Sequence, residues 1–135
     1  MAKDEAYIID ICDRVLGRKA SRQHRFAFLL GDTGTPLPVD AYYEDLALVV
    51  EYRERQHLDP VAFWDKKPTA SGVLRGRQRA LYDERRREVL PQHGITLVEF
   101  SNFDFKCGSG KRPLRIAEDD ERVVREKLSR WLPSR

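Results

Sequence analysis

The chain has 135 residues, of which 41% are apolar and 35% are charged, and its formal net charge is only +3. These values predict one soluble globular domain over residues 1–135 and exclude a histone-like polycation. The sequence has neither the roughly 18 consecutive apolar residues of a membrane span nor the apolar core of a signal peptide. Its two cysteines have no metal or redox spacing, so we expect a reducing, cytoplasmic location and no membrane partner.

A helix, a basic loop and a strand are predicted before residue 31. Residues 4–16 carry apolar side chains at helical spacing and are followed by Gly17, a pattern that predicts the first helix. Residues 18–25 are interpreted as a basic loop able to grip phosphate, and residues 26–30 as the first strand. The GDTGTP segment at residues 31–36 is interpreted as a connection, because it lacks the Lys-Ser/Thr pair of a P-loop.

Residues 37–53 are predicted to form a β-hairpin, with strands at residues 37–43 and 46–53 joined by a two-residue turn at Glu44 and Asp45. This turn would place Asp40 opposite Val49, with Glu51 diagonally next to Asp40 on the same side, roughly 5.5–8 Å away. The opposite side of the hairpin would be almost wholly apolar and would carry Val39, Ala41, Tyr43, Leu46, Leu48, Val50 and Tyr52.

Asp40 and Glu51 would repel each other unless a positive group lay between them. Magnesium suits oxygen ligands at this spacing, because it binds through one or two carboxylates while keeping waters and taking up phosphate oxygens. The alternative is that both are solvated side chains on an exposed sheet face, since a slip of one residue reverses every side chain. Glu5, in the first turn of the first helix, either favours the helix dipole or reaches the same face of the hairpin.

The segment after the hairpin combines aromatic and basic residues. Residues 58–72 are predicted to form a long loop containing Phe63, Trp64, Lys66 and Lys67. The aromatic and lysine side chains suit contact with a nucleic acid, whereas Phe63 and Trp64 could equally form a plug over the core.

Residues 73–90 are predicted to form a helix with six arginines, and Leu74, Leu81, Val89 and Leu90 supply its buried stripe. Its first three arginines are candidates for phosphate contacts, while pairing with neighbouring acids could instead leave a solvated face. Residues 95–100 are predicted to form a strand parallel to the one bearing Glu51, through a right-handed crossover. A last helix at residues 117–132 would either cap the sheet or form a dimer face.

These residues resemble a known family. Pro38, Asp40, Glu51 and Arg53 fit a P-x-D…E-x-R pattern that resembles the PD-(D/E)XK phosphodiesterase motif. The segment EYRERQH is similar to the E-x-D-G-x-Q-H segment of small proteins related to very-short-patch-repair endonucleases. The likeness extends to Glu5, to the Arg-Gln-His run at residues 22–24, and to residues 82–100, which resemble a Y-D-x-x-R…L…G-(I/F)-x-V-x-(R/E)-F ending.

The resemblance, which covers roughly residues 4–105, implies an α/β restriction-endonuclease-like αβββαβ core with a mixed sheet flanked by helices. The C-terminal helical extension, about residues 116–132, lies beyond it. The resemblance also implies a magnesium-dependent endonuclease, with manganese as a substitute for magnesium. The enzyme would act on DNA more than on RNA, in repair, restriction or mobile-element and phage defence. A homodimer is a possible assembly.

The resemblance also assigns roles. Asp40, Glu51 and the backbone carbonyl of Tyr52 would hold the metal, and Glu5 and His57 would position or deprotonate water. Arg53 departs from the lysine of the general motif and from the aspartate of the small relatives; it cannot act as a base but can steady a phosphate. The expected nucleic-acid contacts are Arg22, His24, Lys66, Lys67, Arg75, Arg77 and Arg79.

Three alternatives remain open. The first is a nuclease fold that binds nucleic acid without cutting it. The second is an interaction subunit of a larger complex, and the third is a small-molecule phosphatase, for which no enclosed pocket motif is evident.

Overall fold

The computed structural model describes residues 3–54, 75–110 and 112–133. The helices and strands in these ranges are α1 (Lys3–Leu16), β1 (Ser21–Leu30), β2 (Pro36–Tyr43), β3 (Leu48–Arg53), α2 (Arg75–Gln92), β4 (Thr96–Ser101) and α3 (Ala117–Lys127). Short 3-10 turns lie at Glu44–Leu46, Asn102–Asp104 and Ser129–Trp131. The α/β class and the predicted order of helices and strands are confirmed for this part of the chain.

The four strands form one mixed sheet in the order β1-β2-β3-β4. β1 is antiparallel to β2, and β2 is antiparallel to β3. β3 and β4 are parallel, with Glu51 beside Glu99 and Tyr52 beside Phe100. The predicted parallel pairing is therefore confirmed, and α2 lies in the long connection that such a pair requires.

Both faces of the sheet are covered. On one face α1 and α3 pack against alternate residues of β3, and Ile8, Val50 and Val124 are fully buried there. On the other face α2 packs through Leu90 against Val49. The C-terminal helix thus caps the sheet, one of its two predicted roles, while its use as a dimer face stays a prediction.

The register of the β2–β3 hairpin differs from the predicted one by two residues. Tyr43 pairs with Leu48 and Ala41 with Val50, because the turn is a 3-10 turn followed by Ala47 in the left-handed conformation (φ 48°). The next pair in this register would be Asp40 and Glu51. A shift of two residues keeps every side chain on its face. The two carboxylates therefore stay on one face, and in the observed register they lie closer together than predicted.

Other predicted boundaries need correction. The predicted basic loop at residues 18–25 is partly strand, because Ser21 pairs with Tyr42 and extends β1 by five residues. α2 continues to Gln92 instead of ending at Leu90, and α3 ends at Lys127 before a separate 3-10 turn. Leu81, predicted to be buried, is 39% exposed. The start of the predicted helix at residues 73–74 lies outside the described residues.

The predicted apolar face of the hairpin is wrong at Val39. It packs with the α2-side cluster, whereas Ala41, two residues later, packs with the α1-side cluster. In a regular strand both would share a face, so β2 is irregular at Asp40, between them. None of the described helices has the length and apolar character needed to cross a membrane.

Candidate active site

Asp40 lies where the sheet is interrupted on both sides. Towards β1, the paired residues are Arg22 with Ala41 and His24 with Val39, and Gln23 falls between them with a φ of 51°. Towards β3, the regular pairs reach only as far as Ala41 and Val50. A gap in both ladders leaves room for side chains to enter the plane of the sheet.

Carboxylates bridge the gap between β2 and β3. Oε2 of Glu51 accepts a hydrogen bond of 2.6 Å from the backbone N–H of Asp40. Oδ2 of Asp40 accepts one of 2.7 Å from the backbone N–H of Tyr52. These two contacts take the place of ladder hydrogen bonds and fix the carboxylates relative to each other. Tyr52 contributes its N–H here, and the use of its carbonyl as a metal ligand stays a prediction.

Glu5 joins this pair from α1. Its Oε2 accepts a 2.9 Å hydrogen bond from Nε2 of Gln23, and its carboxyl is close enough to Asp40 for the two groups to interact electrostatically. Burial and the charge of Asp40 raise the pKa of Glu5 to about 7. The structure therefore brings the predicted Glu5, Asp40 and Glu51 together; we call them the carboxylate cluster.

Glu51 is the most deeply buried member of the cluster, with 1% of its surface exposed. Burial and the neighbouring Asp40 raise its pKa to about 7, although Arg53 and Arg86 act in the opposite direction. The alternative of a solvated side chain on an open sheet face is therefore wrong for Glu51.

Arg53 is surrounded by carboxylates. Its three guanidinium nitrogens lie 2.8 Å from Asp83, 2.9 Å from Glu99 and 3.1 Å from Glu51. Burial opposes its charge, but these three acids raise the pKa of Arg53 above its usual value. Each nitrogen already has an acidic partner, so this arrangement makes Arg53 a clamp on Glu51 instead of an open phosphate contact.

Four further residues belong to the same network and were not among the predicted site residues: Asp83, Arg86, Arg87 and Glu99. Arg86 of α2 lies 3.4 Å from Glu51 and 3.1 Å from Asp83, and its Nη2 donates to the Pro38 carbonyl at 2.9 Å. Burial alone would raise the pKa of Glu99, but hydrogen bonds from Arg87 and Arg53 lower it to about 2. The Y-D-x-x-R and (R/E)-F pieces of the resemblance contain Asp83, Arg86 and Glu99 and could have revealed them.

Gln23, between two predicted nucleic-acid contacts, is the residue of the Arg-Gln-His run that reaches the cluster. Arg22 instead pairs with Asp10 at 2.7 Å and Asp13 at 2.9 Å on α1. His24 lies 3.0 Å from the Ser21 hydroxyl, and its ring packs against other aromatic rings on the α2 side. The contacts of Arg22 and His24 are thus internal ones.

The arginines of α2 divide into two groups. Arg85, Arg86 and Arg87 are partly buried and bind the sheet or its loops, which argues against a merely solvated face. Arg77 and Arg79 are exposed. Arg79 is seven residues before Arg86 and therefore on the same stripe of the helix, while Arg77 is nine residues before it and on the opposite side.

Several predicted site residues cannot be placed. His57, Lys66 and Lys67 lie outside the described residues, as do Phe63 and Trp64. Arg75 begins α2 as described, but its side chain is outside the described part.

The metal-binding capacity of the site depends on few protein ligands. Within residues 3–54, 75–110 and 112–133, no group of three or more His, Cys, Asp or Glu side chains could hold a metal ion. Asp40 and Glu51 nevertheless offer only oxygen donors, and burial together with the charge of the neighbouring Asp40 raises the pKa of Glu51. This donor set fits magnesium bound through two carboxylates and completed by other oxygens.

Comparison of the chain with protein-family models, with curated proteins and with solved structures found no match. The resemblance to the nuclease superfamily therefore rests on the short motifs quoted above.

Proposed function

We propose that this protein is a metal-dependent endonuclease with a restriction-endonuclease-like core that hydrolyses phosphodiester bonds of nucleic acid, DNA more than RNA. The observation that carries the proposal is the carboxylate cluster. Glu5, Asp40 and Glu51 come from α1, β2 and β3 and meet where the sheet is interrupted. They also belong to separate pieces of the motif pattern, so separate parts of the resemblance converge on one place.

Asp40 and Glu51 would hold the divalent cation, with the Tyr52 carbonyl as a further oxygen ligand. A cation bound there lowers the pKa of its water and neutralises charge that develops on the phosphate oxygens.

Glu5 would accept the proton of the attacking water. Burial and the charge of Asp40 raise the pKa of Glu5, and a carboxyl with a raised pKa is a stronger base near neutral pH. Gln23 binds one oxygen of this carboxyl at 2.9 Å, and this hydrogen bond lowers the pKa of Glu5 less than burial and Asp40 raise it.

Arg53 and Arg86 would hold Glu51 in place. The guanidinium groups lie 3.1 Å and 3.4 Å from Oε1 of Glu51, while Oε2 accepts the Asp40 N–H. This arrangement assigns Arg53 a positioning function in place of the motif lysine. Arg79, exposed on the same stripe of α2 as Arg86, is the described arginine that we expect to contact the nucleic-acid backbone.

One observation favours a second candidate, a nuclease fold that binds nucleic acid without cutting it. Arg53 is clamped by three acids and lies beside Glu51. Such an internal cation reduces the need for a metal, because it already compensates the buried charge. In that case nucleic-acid binding would be independent of magnesium and of Asp40.

The test is cleavage of supercoiled plasmid, single-stranded DNA and RNA with magnesium, with manganese or with EDTA. The wild type is compared with Asp40→Asn and Glu51→Gln, and Glu84→Gln serves as the control because its side chain is 72% exposed on α2. We expect metal-dependent cleavage by the wild type and by Glu84→Gln, and its loss in both site variants.

Two outcomes would reject the endonuclease. Cleavage that survives in Asp40→Asn and Glu51→Gln would place the activity elsewhere or in a contaminant. Absence of cleavage together with metal-independent binding that persists in both variants would support the binding module instead.

A further inference from the structure

Gln23 has a backbone conformation that its neighbours in β1 do not need. Its φ is 51°, a region that side-chain-bearing residues rarely occupy and that is disfavoured inside a strand. Glycine or asparagine adopts this conformation at lower cost. Gln23 is exposed, so apolar packing does not explain why a long side chain stands there.

The left-handed residue changes where the side chains of β1 point. Arg22 pairs with acids of α1, and His24 packs among aromatic rings on the α2 side. Gln23, between them, directs its amide to Oε2 of Glu5 at 2.9 Å. Glu5 in turn interacts electrostatically with Asp40, the residue that falls opposite Gln23 in the register of β1 and β2.

We propose that Gln23 is a positioning residue whose left-handed backbone and side-chain amide hold the Glu5 carboxyl against Asp40 in the orientation required for phosphodiester cleavage. The inference rests on the proposed endonuclease function. It goes beyond that function by assigning a role to a residue outside the expected metal ligands and nucleic-acid contacts.

The amide suits this task for two reasons. A glutamate side chain has several rotatable bonds, and fixing one carboxylate oxygen limits its orientation before the substrate arrives. An amide donor is uncharged, so it holds the carboxylate without pairing it as an arginine would. The strain at Gln23 is then the local cost of a defined active-site geometry.

The test compares three variants. Gln23→Gly keeps the backbone conformation and removes the amide. Gln23→Asn also tolerates the conformation and keeps an amide, but its side chain is one methylene shorter and should not reach Glu5. Ala47→Gly is the matched control, because Ala47 is also left-handed (φ 48°) but lies in the turn between β2 and β3.

For Gln23→Gly we expect kcat for supercoiled plasmid with magnesium to fall about 10- to 100-fold with KM little changed, while Tm equals or exceeds that of the wild type. Gln23→Asn should show the same loss of kcat. Ala47→Gly should keep the wild-type kcat with an equal or higher Tm. A purely structural role of Gln23 would make kcat and Tm fall together, and that result, or an unchanged kcat, would overturn the proposal.

An NMR measurement that does not depend on catalysis tests the role of Gln23 separately from the endonuclease function. In ¹⁵N-edited NMR spectra, the resonance of the Gln23 side-chain amide should change its chemical shift in Glu5→Ala. The same resonance should keep its chemical shift in Glu84→Ala. An unchanged chemical shift of this amide in Glu5→Ala would contradict the Gln23–Glu5 hydrogen bond on which the inference rests. If the wild type cleaves no nucleic acid, the endonuclease is rejected and the positioning role falls with it. An active wild type with an equally active Gln23→Gly rejects the role of Gln23 alone.

Discussion

The side chain of Glu51 bonds to the backbone of Asp40: Oε2 of Glu51 accepts the Asp40 N–H at 2.6 Å. A side-chain acceptor thus replaces a strand carbonyl, and the neighbouring strands are joined by an ionisable group. Protonation and cation binding at Glu51 therefore act directly on the β2–β3 junction, which links the chemistry of the site to the stability of the fold.

The first prediction concerns pH and stability. The pKa values of Glu5 and Glu51 are raised to about 7, so the folded chain binds their protons more tightly than the unfolded chain. Their contribution to stability is full below the unfolded value of about 4.3 and is lost as pH rises through about 7. Without divalent cations, we expect Tm to decrease across this window.

Glu51→Gln is the matched variant for this experiment, because an amide does not titrate. Its Tm should fall less steeply with pH than that of the wild type, as measured by thermal unfolding in buffers of constant ionic strength. Glu99, whose pKa is lowered to about 2, should contribute the opposite slope, with stability lost as pH falls below about 4.3. Parallel profiles for wild type and Glu51→Gln would contradict the raised pKa of Glu51.

The second prediction concerns the cation. At about pH 8, above the pKa of about 7 of Glu51, magnesium should raise the Tm of the wild type in proportion to the logarithm of its concentration, because it binds only the folded chain. Asp40→Asn should lose this shift, and Glu84→Gln should keep it. An equal shift in all three proteins would assign the effect to non-specific binding.

The sequence predicted most of the helices and strands because their signals are local. The apolar spacing in α1 and α3, and the run of apolar residues in β4, do not depend on distant partners. The register of β2 and β3 could not be predicted in the same way, since alanine rarely adopts the left-handed conformation found at Ala47. The start of β1 was missed because Ser21 and Arg22 are polar and become strand through pairing with β2.

The candidate site was predicted only in part, because some of its residues have a local sequence signal and others are recognised only by their distant partners. Asp40 and Glu51 stand out as lone acids in strands, and Glu5 entered through the resemblance. Arg86 is one of six arginines in a helix with charged residues on all sides, so no periodicity indicates that it faces Glu51. Gln23 was overlooked because an amide beside Arg22 and His24 is the least conspicuous of the three.

The third prediction concerns the ion pairs of Arg53 with Glu51, Asp83 and Glu99. Arg53→Met leaves Glu51, Asp83 and Glu99 without their shared cation, and the side chain of Arg53 is only 14% exposed. Removing one partner of a buried ion pair costs about 3–5 kcal/mol when the other charge is left unpaired. Arg86 and Arg87 remain beside these acids, so we expect a smaller loss, at most about 3 kcal/mol, in the free energy of unfolding, measured with urea. Arg53→Lys should recover part of it, since lysine keeps the charge but not the three-way geometry.

Arg122→Met is the control for the clamp. Arg122 is also paired with an acid, Asp119 at 3.4 Å, but its side chain is 70% exposed. Exposed pairs contribute about 0–1 kcal/mol, so this variant should be nearly neutral. Similar losses in Arg53→Met and Arg122→Met would show that the network around Arg53 has no special weight.

The last prediction separates two exposed arginines of α2. Arg79 shares the stripe of Arg86, whereas Arg77 lies on the opposite side of the helix. If nucleic acid lies across the carboxylate cluster, Arg79→Ala should weaken binding at all sequences and lower the slope of log K against log salt by about 1. Arg77→Ala should leave both quantities near the wild-type values. Fluorescence anisotropy with a labelled DNA duplex at several salt concentrations measures both, and equal effects of the two substitutions would mean that the nucleic acid does not approach from the side of the site.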